Sequence, residues 1–189
     1  MKATGKRSLK TLPKIKPFTS TETHRQLHLD ARQGPVKADV YLHIPDKSTP
    51  SKWYMTSSDQ VVDDFVAYIE TQDKRKRARL DICINSADES ITFAKAGAVG
   101  CSQTFDGLLF AAGNEELNEV KAFKTSILKR GRELRLDILP SAFWLKTSSG
   151  GKAVGGGKFG FRFVLQDKEE NILLSYDPMI ILPDWEPVR

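Results

Sequence analysis

Apolar and polar positions alternate most regularly between Val36 and Ile84. Val36, Ala38, Val40, Leu42 and Ile44 interleave with Lys37, Asp39, Tyr41 and His43, the period of two that marks a half-buried strand. The pattern then changes period. Ser57 and Gln60 have the spacing of a capping box, and Asp59, Asp63 and Asp64 place negative charge where a helix begins. Val61, Val62, Phe65, Tyr68 and Ile69 fall on one face of a helix, which predicts a helix over 57–72. Leu80, Ile82 and Ile84 return to alternation as a second strand, and Ile91 with Phe93 extends it into a hairpin. The segment Pro45–Ser51 is turn-rich, and Trp53, Tyr54 and Met55 just after it read as packing residues.

Further along, Gly97, Gly100 and Gly107 punctuate a loop-rich region around the apolar run Leu108–Ala112. Asn114 suits an N-cap, Glu115, Glu116 and Glu119 follow it, and Leu117, Val120, Phe123, Ile127 and Leu128 recur at helical spacing. Lys129 and Arg130 complement the end of this predicted helix, 114–130, with Gly131 as its C-cap. Leu134, Leu136 and Ile138 alternate with Glu133, Arg135 and Asp137 as a strand before Pro140. Phe159, Phe161, Phe163 and Leu165 alternate with Gly160, Arg162 and Val164, Asp167–Asn171 reads as a polar turn, and Ile172–Tyr176 and Met179–Leu182 as further strands. The expected fold is α+β: a mainly antiparallel β-sheet with two packed helices. A flexible basic arm, 1–26, precedes a single domain over 27–189. The helix–strand alternation is too irregular for a doubly wound parallel sheet.

Charge sharpens this picture. The formal net charge is +5, with 29 Lys and Arg against 24 Asp and Glu over 189 residues. Lys2, Lys6, Arg7, Lys10, Lys14 and Lys16 lie in the first twenty positions, which hold no acid, so removing these six leaves about −1 for residues 21–189. A second cluster, Lys74, Arg75, Lys76, Arg77 and Arg79, follows the first predicted helix. Both clusters are candidate contacts for a polyanion, either nucleic acid or an anionic membrane face. Leu9, Leu12, Ile15 and Phe18 interrupt the arm's cations and have no place in a periodic core, so they are the expected self-association residues. A chain of this length buries roughly 70% of its unfolded surface and needs no staple. Cys83 and Cys101 have no metal or redox spacing and read as free thiols in a reducing compartment. No run of about 18 apolar residues spans a membrane, and the basic N-terminus lacks the apolar region of a secretory signal.

Motifs for chemistry are missing. Gly150–Gly157 with Lys152 and Lys158 fails the spacing of a phosphate-cradling Walker A loop, since Phe159 and a strand follow Lys158. His24 and His28 are spaced as on one helical face, but no cysteine or carboxylate completes a metal site with them. No G-x-S-x-G elbow occurs. Neither an enzyme nor a cofactor or metal is expected. The Phe159–Phe163 aromatics share a face with Leu165 and read as core, so nucleic-acid contact would go through phosphates without sequence reading.

The order of parts resembles that of the matrix proteins of rhabdoviruses, those of the short plant-infecting branch in particular. It runs from a basic arm and a strand to an amphipathic helix (Ser57–Gln72), a basic turn and a strand (Arg79–Ile84). A late hairpin, Gly157–Gln166 with Asn171–Tyr176, leads to Pro178-Met179-Ile180-Ile181 and Trp185. The similarity covers 36–84 and 157–185. It implies a virion structural protein that self-associates and bridges a nucleoprotein–RNA complex to the anionic inner face of a membrane. Such a protein would lie in the virion and host cytoplasm, peripheral to membrane, with no small-molecule substrate. The chain lacks the proline-rich tyrosine motif of late budding, which leaves recruitment of budding machinery without a carrier. Two alternatives stay open: the capsid protein of a small RNA virus, with Met1–Gln26 as its RNA-binding arm, and a non-enzymatic adaptor or effector. The capsid alternative requires about eight strands in a jelly roll, against which the two predicted helices count.

Overall fold

One long strand, Gly157–Gln166, organises half of the molecule because its alternate residues Phe159, Phe161, Phe163 and Leu165 are all buried. The computed structural model describes residues 25–69, 76–96, 104–110, 123–139, 157–176 and 178–182. Fourteen strands occur among them, in chain order β1 (Gln26–Asp30), β2 (Val36–Ile44), β3 (Tyr54–Ser57), β4 (Gln60–Val62), β5 (Asp64–Tyr68), β6 (Ala78–Ser86) and β7 (Thr92–Phe93), then β8 (Thr104–Phe105), β9 (Leu108–Phe110), β10 (Phe123–Leu128), β11 (Glu133–Ile138), β12 (Gly157–Gln166), β13 (Ile172–Leu174) and β14 (Met179–Leu182).

These strands form two mixed sheets. The first runs β10-β11-β6-β2-β3-β4, and the second β1-β5-β14-β12-β9-β8 with β7 and β13 also paired to β12. Val40, Leu42, Leu80, Ile82, Leu134 and Leu136 of the first sheet and Leu29, Phe65, Leu108, Phe161, Phe163 and Ile180 of the second belong to one contiguous core. The sheets therefore pack face to face. Aromatic rings tie them together: Phe110 of β9 stacks on Phe123 of β10 at 4.8 Å, and Phe123 meets the edge of Phe159 at 5.6 Å. At Gly107, in the β8–β9 turn, φ is +73° and an added Cβ would lie 2.8 Å from Leu134 Cδ1 on the facing sheet, so a side chain there would push the layers apart.

The expected α+β fold with two packed helices does not occur. Over 57–69 the chain forms the end of β3, then β4 and β5. Ser58 and Asp59 both take positive φ, 49° and 64°, as in the two-residue hairpin turn whose twist matches that of its strands. Ser57 donates to the Asp39 carbonyl at 2.9 Å instead of capping a helix. The helical spacing of Val61, Phe65 and Ile69 arose from a strand buried on both faces. β5 lies between β1 and β14, parallel to each, and Asp64 to Ala67 are all buried. Such a strand reads as an unbroken apolar run with no period of two.

The second predicted helix fails where it can be seen. Residues 111–122 lie outside the described residues. Phe123–Leu128 is the edge strand β10, antiparallel to β11, followed by a short 3-10 turn at Lys129–Gly131. Gly131 does adopt a left-handed φ of +90°, but it closes a hairpin there and not a helix. The sheets are also less antiparallel than expected, since β1–β5, β5–β14 and β2–β6 pair in parallel. The parallel β2–β6 pair explains why nine-residue strands were so legible: its register runs from Val36↔Ala78 to Ile44↔Ser86 and aligns two alternating sequences face for face. Among the described residues, no helix is long and apolar enough to cross a membrane.

Candidate functional site

The outer face of the first sheet carries an array of paired charges that follows from register. Alternation sends Lys37, Asp39 and Tyr41 of β2, Arg79, Asp81 and Cys83 of β6, and Glu133, Arg135 and Asp137 of β11 to the same side. Cross-strand pairing then sets Lys37 beside Arg79 and Asp137, and Asp39 beside Asp81 and Arg135. Opposite charges meet directly or on the diagonal. Arg79 holds Asp137 through two hydrogen bonds, 2.7 and 3.1 Å, and Arg135 holds Asp81 likewise at 2.9 and 3.2 Å. Lys37 bridges Asp81 and Asp39, each at 3.0 Å. Lys129 pairs with Glu133, which also accepts from the Cys83 thiol at 3.5 Å.

Asp81, Asp137 and Glu133 are buried although they point outward, because the longer cationic side chains lie across them. Hydrogen bonds from Arg135 hold the Asp81 carboxyl below the usual carboxylate range, with Lys37 adding to the effect. Burial, with the Glu133 carboxylate beside it, pushes the Cys83 thiol up to about 11, far from a nucleophilic thiolate at neutral pH.

At one end of this face His43 is buried between strands. Its ring stacks on Tyr54 at 4.5 Å. With the Asn85 amide donating to Nδ1 at 3.0 Å, the proton sits on Nε2, which donates to Thr56 Oγ1 at 2.8 Å. Burial lowers its pKa. Both ring nitrogens are thus occupied by fixed neutral partners, and the hydroxyl beside it accepts a hydrogen bond from the ring instead of donating one to it. This geometry suits a packing histidine and not a general base. His28 of β1 is exposed and stacks on Tyr68 at 5.9 Å, and the Arg32 guanidinium sits 5.1 Å from the same Tyr68 ring. Among the described residues, no three His, Cys, Asp or Glu side chains cluster as metal ligands.

The predicted polyanion residues divide. Lys2, Lys6, Arg7, Lys10, Lys14, Lys16, Lys74 and Arg75 lie outside the described residues, as do the predicted self-association residues Leu9, Leu12, Ile15 and Phe18, His24, and residues 148–156 of the glycine-rich loop. Lys76 is half-buried and Arg77 is exposed at the entrance to β6, where the Arg77 carbonyl accepts from the Val36 amide at 3.0 Å. Arg79, grouped with them in the sequence, is committed to Asp137 on the sheet face and is set apart from the run by one buried residue, Ala78. The ion-pair lattice itself was not anticipated. Its trace in the sequence is the alternation Arg79-x-Asp81 and Glu133-x-Arg135-x-Asp137, but only the register joins the two strings.

The chain matches no protein-family model, no curated protein and no solved structure.

Proposed function

We propose that this chain is a non-enzymatic structural protein that self-associates and attaches to polyanionic surfaces. In the fuller form of this reading it bridges a nucleoprotein–RNA complex to the anionic inner face of a membrane, as a peripheral protein of a virion and its host cytoplasm. One observation carries the reading: four buried carboxylates of the folded body are closed by its own cations, while the arm's cations have no acid near them in sequence. Asp81, Asp137, Glu133 and Asp167 are each closed by Lys or Arg side chains of the same body. The first twenty residues hold six cations and no acid against about −1 for residues 21–189, so the net positive charge lies in the arm, with Lys74–Arg77 as a second, local cluster. Each cation near an anionic membrane contributes about 1 kcal/mol at best, and less once screened. Five or six together supply a few kcal/mol, enough for reversible attachment and not for insertion.

Strands stand over 57–68 in place of the helix expected over Ser57–Gln72, one of the elements in the resemblance to matrix proteins, so charge and not that order of parts supports the reading. Losing the helices removes an objection to the capsid alternative. The three parallel pairings count against it, since a jelly roll is built from antiparallel strands.

The test is salt-dependent binding of the full chain to anionic liposomes and, separately, to RNA. The proposal expects liposome binding that declines as salt rises and weakens when Lys74, Arg75, Lys76 and Arg77 are replaced together by Ser. RNA-driven particles without liposome binding would favour the capsid alternative, and binding to neither would favour the adaptor. Liposome binding unchanged in the quadruple variant would reduce the run to a solvated turn.

A further inference from the structure

Where β7 meets the β10–β11 turn, the surface opens into a depression of about 480 Å³, lined by Thr92, Phe93, Lys95, Ile127, Arg130 and Gln166 among others, with no acid among the described lining residues. The turn beside it carries three cations within four residues, and two of them already have work in the fold. Lys129 pairs with Glu133. Arg132 points its guanidinium inward and donates to the carbonyls of Ile84, Asp88 and Ile91 at 2.9 to 3.2 Å. Arg130 is left, exposed at the depression, with Lys95 exposed on the same wall. Neither has a side-chain partner among the described residues. Both cations line one concavity, so an anion seated there would meet two positive charges at once.

The backbone gives a second, independent sign. Lys129 and Arg130 are both left-handed, with φ of 48° and 55°, a conformation that side chains other than Asn, Asp and Gly adopt at a cost. Gly131 follows at φ +90°, packed so closely that an added Cβ would lie 2.7 Å from Thr92 Cβ. The turn is therefore pressed onto the wall of the depression and holds Arg130 in place. Asn at position 130 would make the same turn with less strain. The turn thus fixes the Arg130 backbone at the edge of the depression.

We infer that this depression binds a phosphate group, as inorganic phosphate or as the monoester of a small molecule. A planar guanidinium and an ammonium together complement a phosphate dianion, the first by paired hydrogen bonds and the second as a point charge. The Thr92 hydroxyl and Gln166 amide on the lining are neutral donors for the remaining oxygens, and the half-buried Ile127 provides an apolar contact for an ester's carbon skeleton. The described lining includes none of the residues on which the proposed function rests, and the inference does not depend on that reading.

Full-length protein titrated calorimetrically with inorganic phosphate, a nucleoside 5′-monophosphate and a monomeric short-chain phosphatidic acid tests the inference. The order of the three affinities separates free phosphate, nucleotide and lipid headgroup as the source. Arg130→Asn is the decisive variant, since it removes the cation while relieving the backbone. The inference expects it to weaken binding of the preferred anion by about tenfold, the effect of losing a charge-assisted hydrogen-bond pair, with an unchanged or higher melting temperature. Lys95→Gln should weaken binding independently, and the double variant should abolish the response. Phosphate, nucleotide and lipid titrations that are all flat in the wild type, or equal in wild type and the Arg130→Asn variant, overturn it.

Discussion

Replacing Ser58 and Asp59 by Asn and Gly separates the hairpin from the helix by the sign of its effect. Both residues hold positive φ in the β3–β4 turn, and Asn-Gly is the pair best suited to that turn. The left-handed conformation costs an ordinary L-residue about 1–2 kcal/mol. Asn relieves part of that at position 58, and Gly relieves it at 59. The freer unfolded backbone of glycine offsets about 0.5–1 kcal/mol. The net expectation is a gain of about 1 kcal/mol, which for a domain of this size raises the melting temperature by about 2–4 °C. Were 57–72 a helix, the same change would put glycine in its first turn and remove a charge favourable to its dipole. It would then lose about 1 kcal/mol or more. Scanning calorimetry of the full chain gives the sign, and far-ultraviolet circular dichroism should show no change in helical signal. A lower melting temperature, or loss of a helical band, would refute the hairpin and the turn strain on which the estimate rests.

Two further expectations follow from the packing and the charged face. Phe161 is fully buried and meets Phe65, Phe110 and Phe163, so Phe161→Ala should destabilise by about 3–5 kcal/mol, read as a shift in the urea midpoint; the exposed Tyr41→Ala control should stay within about 0.5 kcal/mol. Asp81 has its folded pKa below the unfolded value, so its stabilising contribution is complete above the ordinary carboxylate range and is lost as pH falls through the folded value. Melting temperatures from pH 7 down to pH 2.5 should fall more steeply for the wild type than for Asp81→Asn, and parallel curves would remove Asp81 from that account.

The sequence by itself determined the strands that bury one face and wet the other. β2, β6, β11 and β12 were legible because Val40-x-Leu42, Leu80-x-Ile82, Leu134-x-Leu136 and Phe161-x-Phe163 alternate with residues that face outward or lie against neighbours, a pattern only a strand makes. It also determined that the acid-free arm and the run at Lys74 hold the excess cations. The helices were misread for a related reason. Periodicity reports which faces are buried, and β5 is buried on both, so Phe65, Val66 and Ala67 carried no alternation to read. β10 was misread because Phe123 and Ile127 are spaced alike for a helix and for every second residue of a strand, and only pairing with β11 separates the two. The turn at Ser58 lacked the glycine that usually announces positive φ. What the tertiary structure alone decided is which charges meet. Arg79 lay in a basic cluster along the chain, yet register across β6 and β11 set it against Asp137, 58 residues away. Among the described residues, the same geometry left the Arg130 side chain without a partner. Local pattern fixes the face a side chain occupies, but its partner depends on register and sheet order, and those are settled by contacts far apart in the chain.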